Sequence, residues 1–575
     1  MMKPHALAAA AALCASLFVS ACDGVARPLT EAPDAYAGKA VFSGFIYEGT
    51  EADPDAWPPA EGQFTNPVLA GFYPDPSIVR VGADFYMVHS TFSWFPGLPV
   101  WHSTDLVSWT QVGNAIDRPG MLDFDGLGLS RGVFAATIDY HEGKFYIANT
   151  CVDCSGNFIL TADNPAGPWS DPIWTPHVGG IDPSLFFDAD GKVWLMNNDA
   201  PEGGSTYEGH RAIWIREVHP ETFEALSEPV MIIDGGVRPE EKPIWIEGPH
   251  IYFVDGWYYL SAAEGGTAVD HSQVILRSRE VTGPYEPYEG NPIMTQRDLP
   301  EDRDHPVTSV GHADYIIDDD GQWWAVFLGV RPYEGDYYNT GRETFLLPVS
   351  WETGWPVILE RGVAVPRTLA RPAVPAAAPA RLPTTGSFRV EEDFSADAPR
   401  HHWMTPRVPK EDWFSFADGK LVLTPRPVGL GDEAQPSFLA RRQQHMAASA
   451  EVSVTFDPAG TGDEAGLAAF QSDEYWFSLG ITRVEDGTRI LKLRQRAGAS
   501  EPAEGTILSR VPLGPDDRTV QLRFAADGAA LSAAWSLDGE NWQQIGPALD
   551  GKNLSTRRAG GFVGSVFGVY AVGGE

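Results

Sequence analysis

Short runs of alternating hydrophobic and polar residues, joined by glycine turns, recur from residue 61 to about residue 370. Five turns share one form, in which paired aromatic or bulky residues follow a glycine. These glycines are Gly82, Gly143, Gly191, Gly256 and Gly321, which lie 61, 48, 65 and 65 residues apart. The alternation is typical of β-hairpins, and the spacing suits blades of about four strands in a radial repeat. The pattern therefore predicts an all-β fold with a five-bladed β-propeller.

The propeller is expected over residues 61–370. A β-sandwich is the structural alternative, but it does not account for five copies of one hairpin. Proline and alanine dominate residues 371–387, which indicates an interdomain linker. From residue 388 onward, short alternating strands with Gly and Asp turns predict a second domain, a β-sandwich over residues 388–575.

Charged residues stand directly before four of the five hairpins. Asp75 and Asp182 each begin Asp-Pro-Ser, Glu247 begins Glu-Gly-Pro-His, and His312 lies in Gly-His-Ala-Asp. Each motif alone is more typical of an ordinary turn or a strand-end ion pair. In a propeller, however, the first strand of every blade lines the central channel, so equivalent positions in different blades converge. The set therefore predicts an axial pocket that holds three acids and a histidine.

The N-terminus has the pattern of an export signal. Residues 1–22 combine Lys3, an apolar run and small residues before Cys22. Val-Ser-Ala-Cys resembles a bacterial lipobox, which predicts lipidation of Cys22; an ordinary secretory signal cut nearby is the alternative. We expect an exported periplasmic or cell-envelope lipoprotein that meets the membrane only through this anchor. Residues 23–60 are rich in Ala, Pro, Asp and Glu and are interpreted as an N-terminal arm.

The composition of the chain narrows the classes of partner that it is expected to bind. A formal charge of −37 argues against nucleic acid and anionic membrane surfaces. Aromatic residues make up 11% of the chain, including 19 Trp, which suits hairpin cores and surfaces that stack on sugars. Beyond the signal only Cys151 and Cys154 remain, so we expect a local disulfide rather than a zinc site, with a redox pair as the alternative. Walker loops, dinucleotide fingerprints, His-Glu-x-x-His and nucleophile elbows are absent.

The motifs taken together resemble glycoside hydrolase family 43, in particular its two-domain β-xylosidases and α-L-arabinofuranosidases. The resemblance covers about residues 61–575 and is carried by Asn66 to Val79, Ile181 to Leu185, Ile246 to His250, Gly311 to Ala313, Gly341 to Phe345, Gly354 to Val357 and Ala440 to Gln444. It implies a five-bladed propeller followed by a concanavalin-like β-sandwich, and an inverting mechanism. No cofactor is required for that mechanism.

Inverting glycosidases need one carboxylic acid to protonate the leaving oxygen and one carboxylate to activate water, roughly 6.5–9.5 Å apart. The resemblance implies that Asp75 is the general base and Glu247 the general acid. Asp182 is expected to orient Glu247 and to raise its pKa through like-charge proximity. The predicted activity is exo-acting release of a terminal pentose, most readily β-D-xylose from xylooligosaccharides. An α-L-arabinofuranosidase and a non-catalytic carbohydrate-binding lipoprotein are the alternatives.

The resemblance also implies residues that contact substrate. Arg342 is expected to bind sugar hydroxyls, with a surface ion pair to Glu343 as the alternative. Phe92 is expected at the pocket wall, with core packing as the alternative. Phe134 stands where relatives often have Trp, so the wall that faces the leaving group is expected to differ, and substrate preference is open.

The resemblance also concerns a histidine and a C-terminal segment near the pocket. His312 is expected near the channel axis as a hydrogen-bonding or water-ordering residue. Some relatives place structural calcium beside this position, although one imidazole is a poor calcium site because calcium prefers oxygen ligands. Phe562 and Phe567 lie in a C-terminal segment similar to one that closes the pocket in the xylosidases; a role in the sandwich core is the alternative.

Overall fold

Antiparallel β-strands make up nearly all the regular structure of this chain in a computed structural model. The structure describes residues 36–51, 59–378, 380, 382–396 and 398–573. The predicted signal segment, Cys22 and most of the expected arm lie outside these residues. Within them, no helix has the length and apolarity that a membrane span needs. The helical pieces of the described chain are single turns at Pro239–Glu241, Gly551–Leu554 and Thr556–Ala559.

Five small antiparallel sheets, blades I to V, confirm the predicted five-bladed propeller. All five glycine turns lie between the first and second strands of a blade and have φ between 64° and 87°, a conformation that glycine adopts without steric cost. The blade strands are Ser77–Val81, Asp84–Val88, Gly97–Ser103 and Thr110–Ile116 in blade I; Thr137–His141, Lys144–Val152, Gly156–Ala162 and Ile173–Trp174 in blade II; Ile181–Phe187, Val193–Asp199, Ala212–Val218 and Val230–Asp234 in blade III; Glu247–Val254, Trp257–Glu264, Ser272–Ser278 and Glu286–Pro287 in blade IV; and Thr308–Ile317, Trp323–Val330 and Glu343–Val349 in blade V. Gly132–Val133 and Met294–Thr295 extend blades II and IV.

The ring closes where the chain that enters blade I meets blade V. Leu69 forms a β-bridge with Thr344 in the last strand of blade V. The buried amide of Asn66 donates to the Leu346 carbonyl and accepts from the Leu346 N–H, both at 2.9 Å. Next to it, Gln63–Thr65 pairs with Thr368–Ala370. The residues directly before the Asp75 motif are therefore fixed by hydrogen bonds to the opposite end of the propeller.

Cys151 and Cys154 form a disulfide, as expected from the sequence. The pair lies at the end of Lys144–Val152, where blade II turns into Gly156–Ala162. Asp153, between the two cysteines, accepts a hydrogen bond from Nε of Arg131 at 2.6 Å.

Two sheets form the C-terminal β-sandwich. One contains Ala40–Thr50, Phe388–Glu392, Phe414–Ala417, Lys420–Leu423, Ala447–Thr455, Thr519–Asp527, Ala530–Ser536, Gln543–Gln544 and Leu549–Asp550. The other contains Ser437–Arg442, Glu464–Ser472, Tyr475–Arg483, Arg489–Ala497, Thr506–Pro512 and Val566–Val572. Alternate residues of both sheets point inward and bury a hydrophobic core between them.

The expectation of an N-terminal arm is wrong for residues 40–50. Ala40–Thr50 is a central strand of the sandwich, paired with Phe388–Glu392 on one part of its length and with Ala447–Thr455 along most of it. Its residues Ala40, Phe42, Phe45 and Tyr47 pack in the sandwich core. A β-bulge between residues 43 and 46 shifts the alternation, which conceals the strand pattern in the sequence.

The segment 371–387 is fastened to the propeller where it is described. The Ala373 and Ala377 N–H groups donate to carboxylates of Asp318 and Asp105 at 3.1 and 3.0 Å, and Thr384 Oγ1 donates to the Val68 carbonyl at 3.1 Å. This segment is therefore bound to the propeller rather than acting as a free spacer.

Arg407 connects the domains through a fully buried guanidinium. Its Nε donates to the Leu127 carbonyl of the propeller at 2.8 Å, and its Nη2 pairs with Asp473 of the sandwich at 2.7 Å. Beside it, Trp94–Phe95 of the propeller pairs with Thr405–Pro406.

We expect Arg407→Met to lower the free energy of unfolding by about 3–5 kcal/mol, because it leaves the Asp473 carboxylate buried without its partner. Urea denaturation measures the loss. Arg389→Met, which removes an exposed pair with Glu391, is the control and should cost under about 1 kcal/mol. Equal midpoints for the two variants would contradict a structural role for Arg407.

Candidate active site

The first strands of blades I, III, IV and V begin with an unusual backbone conformation. Asp75, Asp182 and His312 each have φ of 54°, and Gly248, which follows Glu247, has φ of 57°. Non-glycine residues seldom adopt this region, and such strain concentrates at functional sites. The ladders of blades III, IV and V also shift register at these positions. Such irregularities redirect side chains, and here they direct them toward the channel.

One cavity of about 520 Å³ collects the residues singled out from the sequence. It is lined by all seven of them: Asp75, Phe92, Phe134, Asp182, Glu247, His312 and Arg342. The three acids come from blades I, III and IV, more than 100 residues apart at the extremes. The propeller thus places three carboxyl groups in one partly enclosed space.

Asp75 is held as a carboxylate. Its Oδ2 accepts a hydrogen bond from Ser90 Oγ at 2.5 Å, and its Oδ1 pairs with Arg342 Nη1 at 2.9 Å. Burial by itself would raise the pKa of Asp75, but Arg342 and the Ser90 hydrogen bond outweigh it and hold that pKa below its ordinary value. Arg342 therefore pairs with the Asp75 carboxylate, while Glu343 pairs with Arg331.

The pKa values of Asp182 and Glu247 are shifted in the opposite direction. Burial, followed by the charge of Asp75, raises the pKa of Asp182 to about 7. Burial and then the charges of Asp182 and Asp75 raise the pKa of Glu247 well above its ordinary value. The Gly248 N–H donates to Asp182 Oδ2 at 3.1 Å, which links the two acids through the backbone of blade IV. The pair can therefore hold a proton at neutral pH, close to an ionised Asp75.

Three phenylalanines form one wall of the cavity. Phe92 stacks on Phe562 with ring centroids 5.7 Å apart, and Phe134 meets both rings edge-on at 5.5 and 5.6 Å. The Arg342 guanidinium lies 5.4 Å from the Phe562 centroid. Phe562 and Phe567 both belong to the sandwich. Phe562 lines the cavity, whereas Phe567 packs in the sandwich core. The pocket-closing interpretation therefore applies to Phe562 and the core interpretation to Phe567.

His312 lies against Gly248, the residue that follows Glu247 in blade IV. A Cβ built on Gly248 would lie 2.7 Å from the His312 ring, so only glycine fits beneath the imidazole. Burial lowers the pKa of His312 to about 4, which leaves the ring neutral and able to donate and accept hydrogen bonds.

Structural calcium beside His312 stays a prediction. Calcium takes six to eight oxygen ligands. The described residues contain no group of three or more His, Cys, Asp or Glu side chains arranged to hold a metal ion.

Several cavity residues were not identified from the sequence. They are Arg131, Ile181, Ile244, Trp245, Thr267, Asp270 and His271. Trp245 lies two residues before Glu247, but its left-handed backbone, with φ of 52°, breaks the alternation that would have marked it. Thr267, Asp270 and His271 reach the cavity from the loop after Trp257–Glu264, and no local pattern marks them.

Comparisons with known proteins agree with this geometry. Residues 64–356 match the family model of glycosyl hydrolases family 43, and residues 391–575 match the β-xylosidase C-terminal concanavalin A-like domain. A non-reducing end α-L-arabinofuranosidase of Bacteroides ovatus is 36% identical over 89% of this chain and 92% of its own length. A xylosidase/arabinosidase of Butyrivibrio fibrisolvens is 36% identical over 88% and 95%.

A solved structure gives the same result. A GH43_12 protein retrieved from capybara gut metagenome superposes with a TM-score of 0.85 and 36% identity, covering 93% of this chain and 99% of its own. The fold and the sequence matches over both domains thus agree. The chain belongs to glycosyl hydrolase family 43, and it is a glycosyl hydrolase that carries the family's concanavalin A-like C-terminal domain.

Proposed function

We propose that this enzyme is an exo-acting, inverting glycosidase that removes a terminal pentose, most readily β-D-xylose from xylooligosaccharides. The observation that carries the proposal is one cavity in which Asp75 is held ionised by Arg342 while the Asp182–Glu247 pair retains a proton. Hydrolysis with inversion needs a base and an acid in one site, and this arrangement supplies both.

In the proposed mechanism Glu247 donates its proton to the leaving oxygen as the glycosidic bond breaks. Asp75 accepts a proton from the water that attacks the anomeric carbon on the opposite face. Asp182 keeps the proton on Glu247 through its own charge and fixes the start of that strand through the Gly248 N–H. The Arg342 side chain, already bound to Asp75 and to Thr267 Oγ1, is placed to bind hydroxyls of the terminal sugar.

Exo-action is supported by the wall of Phe92, Phe134 and Phe562. The sandwich loop that carries Phe562 is anchored to the propeller, because the Phe562 N–H donates to Ser130 Oγ at 2.8 Å. A chain of sugars cannot pass through this wall, so the cavity accommodates a chain end.

An α-L-arabinofuranosidase is the second candidate. It is favoured by the Bacteroides ovatus relative, a non-reducing end α-L-arabinofuranosidase that matches across both domains. The same acids would serve either pentose, and Phe134 in place of the tryptophan common in relatives leaves the preference to be measured.

Two assays test the proposed function directly. We expect p-nitrophenyl β-D-xylopyranoside to be cleaved with higher kcat/KM than p-nitrophenyl α-L-arabinofuranoside. In NMR of the reaction, the first xylose released should be the α-anomer, because water attacks opposite the leaving group. A preference for the arabinofuranoside selects the second candidate, and initial release of β-xylose contradicts inversion.

The acid and the base should respond differently to the leaving group. We expect Glu247→Gln to lower kcat on a disaccharide by about 10²–10⁴-fold, and much less on a dinitrophenyl glycoside, whose leaving group needs little protonation. Asp75→Asn should lower both rates by a similar factor, since water activation is needed for either substrate. Glu241→Gln, an exposed residue of the nearby helical turn, is the control. If Glu247→Gln slowed both substrates equally, Glu247 would not be the proton donor.

The pH dependence follows from the opposite pKa shifts. Asp75 must be ionised, so activity falls only as the pH drops through its lowered pKa. The Asp182–Glu247 pair must be protonated, so activity falls as the pH rises through its raised pKa. We expect a bell-shaped kcat/KM profile whose alkaline limb lies well above the ordinary glutamate value of about 4.3. An alkaline limb in that ordinary range would contradict the assignment.

A further inference from the structure

Trp245 lines the catalytic cavity but takes no part in the proposed acid–base chemistry or in binding the terminal sugar. It lies two residues before Glu247 and is partly buried. Its backbone is in the left-handed region, with φ of 52°, and its N–H donates to the Gly209 carbonyl at 2.8 Å. An aromatic residue in that conformation is uncommon, and the Gly209 contact holds it there.

Arg211 covers part of the indole. The guanidinium carbon of Arg211 lies 4.5 Å from the ring centroid, within the range of a cation–π contact. Across the ring edge, Gly266 approaches so closely that a Cβ on it would lie 3.5 Å from Trp245 Cδ1. The remaining surface of the indole faces the cavity. Ile244, the neighbouring residue, also lines the cavity and is 40% exposed. The ring is thus fixed from behind and accessible from the cavity.

We propose that Trp245, held in place by Arg211, is the platform on which the sugar ring of the leaving group stacks. The substrate class is therefore oligosaccharides, in which a second ring follows the cleaved bond. This inference rests on the proposed function, because Glu247 as proton donor fixes the position of the leaving oxygen. Trp245 lines the same cavity and belongs to the segment that carries that donor.

The chemistry of the ring explains the choice of residue. A pyranose presents an apolar C–H face, and flat aromatic side chains bury such a face at low entropic cost. Arg342, which pairs with Asp75, and the Phe92 and Phe562 rings beside it line the part of the same cavity proposed for the terminal sugar. Trp245 is thus a residue that determines affinity for the leaving group, and Arg211 is its positioning residue.

The test compares two substrates of the same pentose, a disaccharide and the glycosyl fluoride. Fluoride is too small to reach Trp245, whereas the second sugar ring is not. We expect Trp245→Ala to lower the ratio of kcat/KM for disaccharide to that for fluoride about tenfold, mostly through KM. Trp245→Phe should restore most of the ratio, because it keeps an aromatic face.

Further variants separate stacking from folding. Trp174→Ala, which removes an exposed tryptophan of the outer strand of blade II, should leave the ratio at the wild-type value. Arg211→Met should lower the ratio, and should lower it no further in the Trp245→Ala background, because Arg211 acts through the indole.

The platform would be overturned if Trp245→Ala lowered kcat/KM equally for both substrates, or if it left both values unchanged. A wild-type enzyme that cleaves neither substrate would instead overturn the proposed function itself, and the platform with it.

Discussion

The whole site depends on the ion pair between Arg342 and Asp75. Three carboxyl groups cannot all be ionised in one buried cavity, since each like charge raises the pKa of its neighbours. Of the three acids it is Asp75 that forms a salt bridge with Arg342, so the Arg342 charge stabilises this carboxylate more than the other two. Burial and mutual repulsion then leave the proton on the Asp182–Glu247 pair. One guanidinium thereby favours different protonation states in chemically similar side chains, as the proposed base and acid require.

The position of Arg342 is in turn fixed by the closure of the ring. It directly precedes the last strand of blade V, whose first residue, Glu343, is fully buried and pairs with Arg331. Glu343 Oε1 also accepts from the Gly71 N–H, four residues before Asp75. Arg331 reaches Glu51 at the end of the sandwich strand Ala40–Thr50. The two ends of the propeller and the second domain thus meet behind the catalytic pair.

The sandwich is consequently part of the active site. Gly341 packs so tightly that a Cβ would lie 3.0 Å from the backbone of Gly564 in the sandwich. That contact places Phe562 beside Arg342, so the second domain completes the cavity wall. Arg407, buried between the domains, makes this arrangement rigid rather than a loose association.

The sequence alone determined whatever is encoded locally. Glycine turns and alternation specify each hairpin, and the motifs at Asp75, Asp182 and Glu247 precede strands whose place in a blade follows from the repeat. The family resemblance supplied the expected roles of those acids. What only the tertiary structure decided depends on contacts between distant segments: Ala40–Thr50 joins the sandwich because its partners come some 340 to 400 residues later. Similarly, Phe562 rather than Phe567 enters the cavity, and Trp245 faces it, because side-chain direction at a loop is set by packing that no local pattern records.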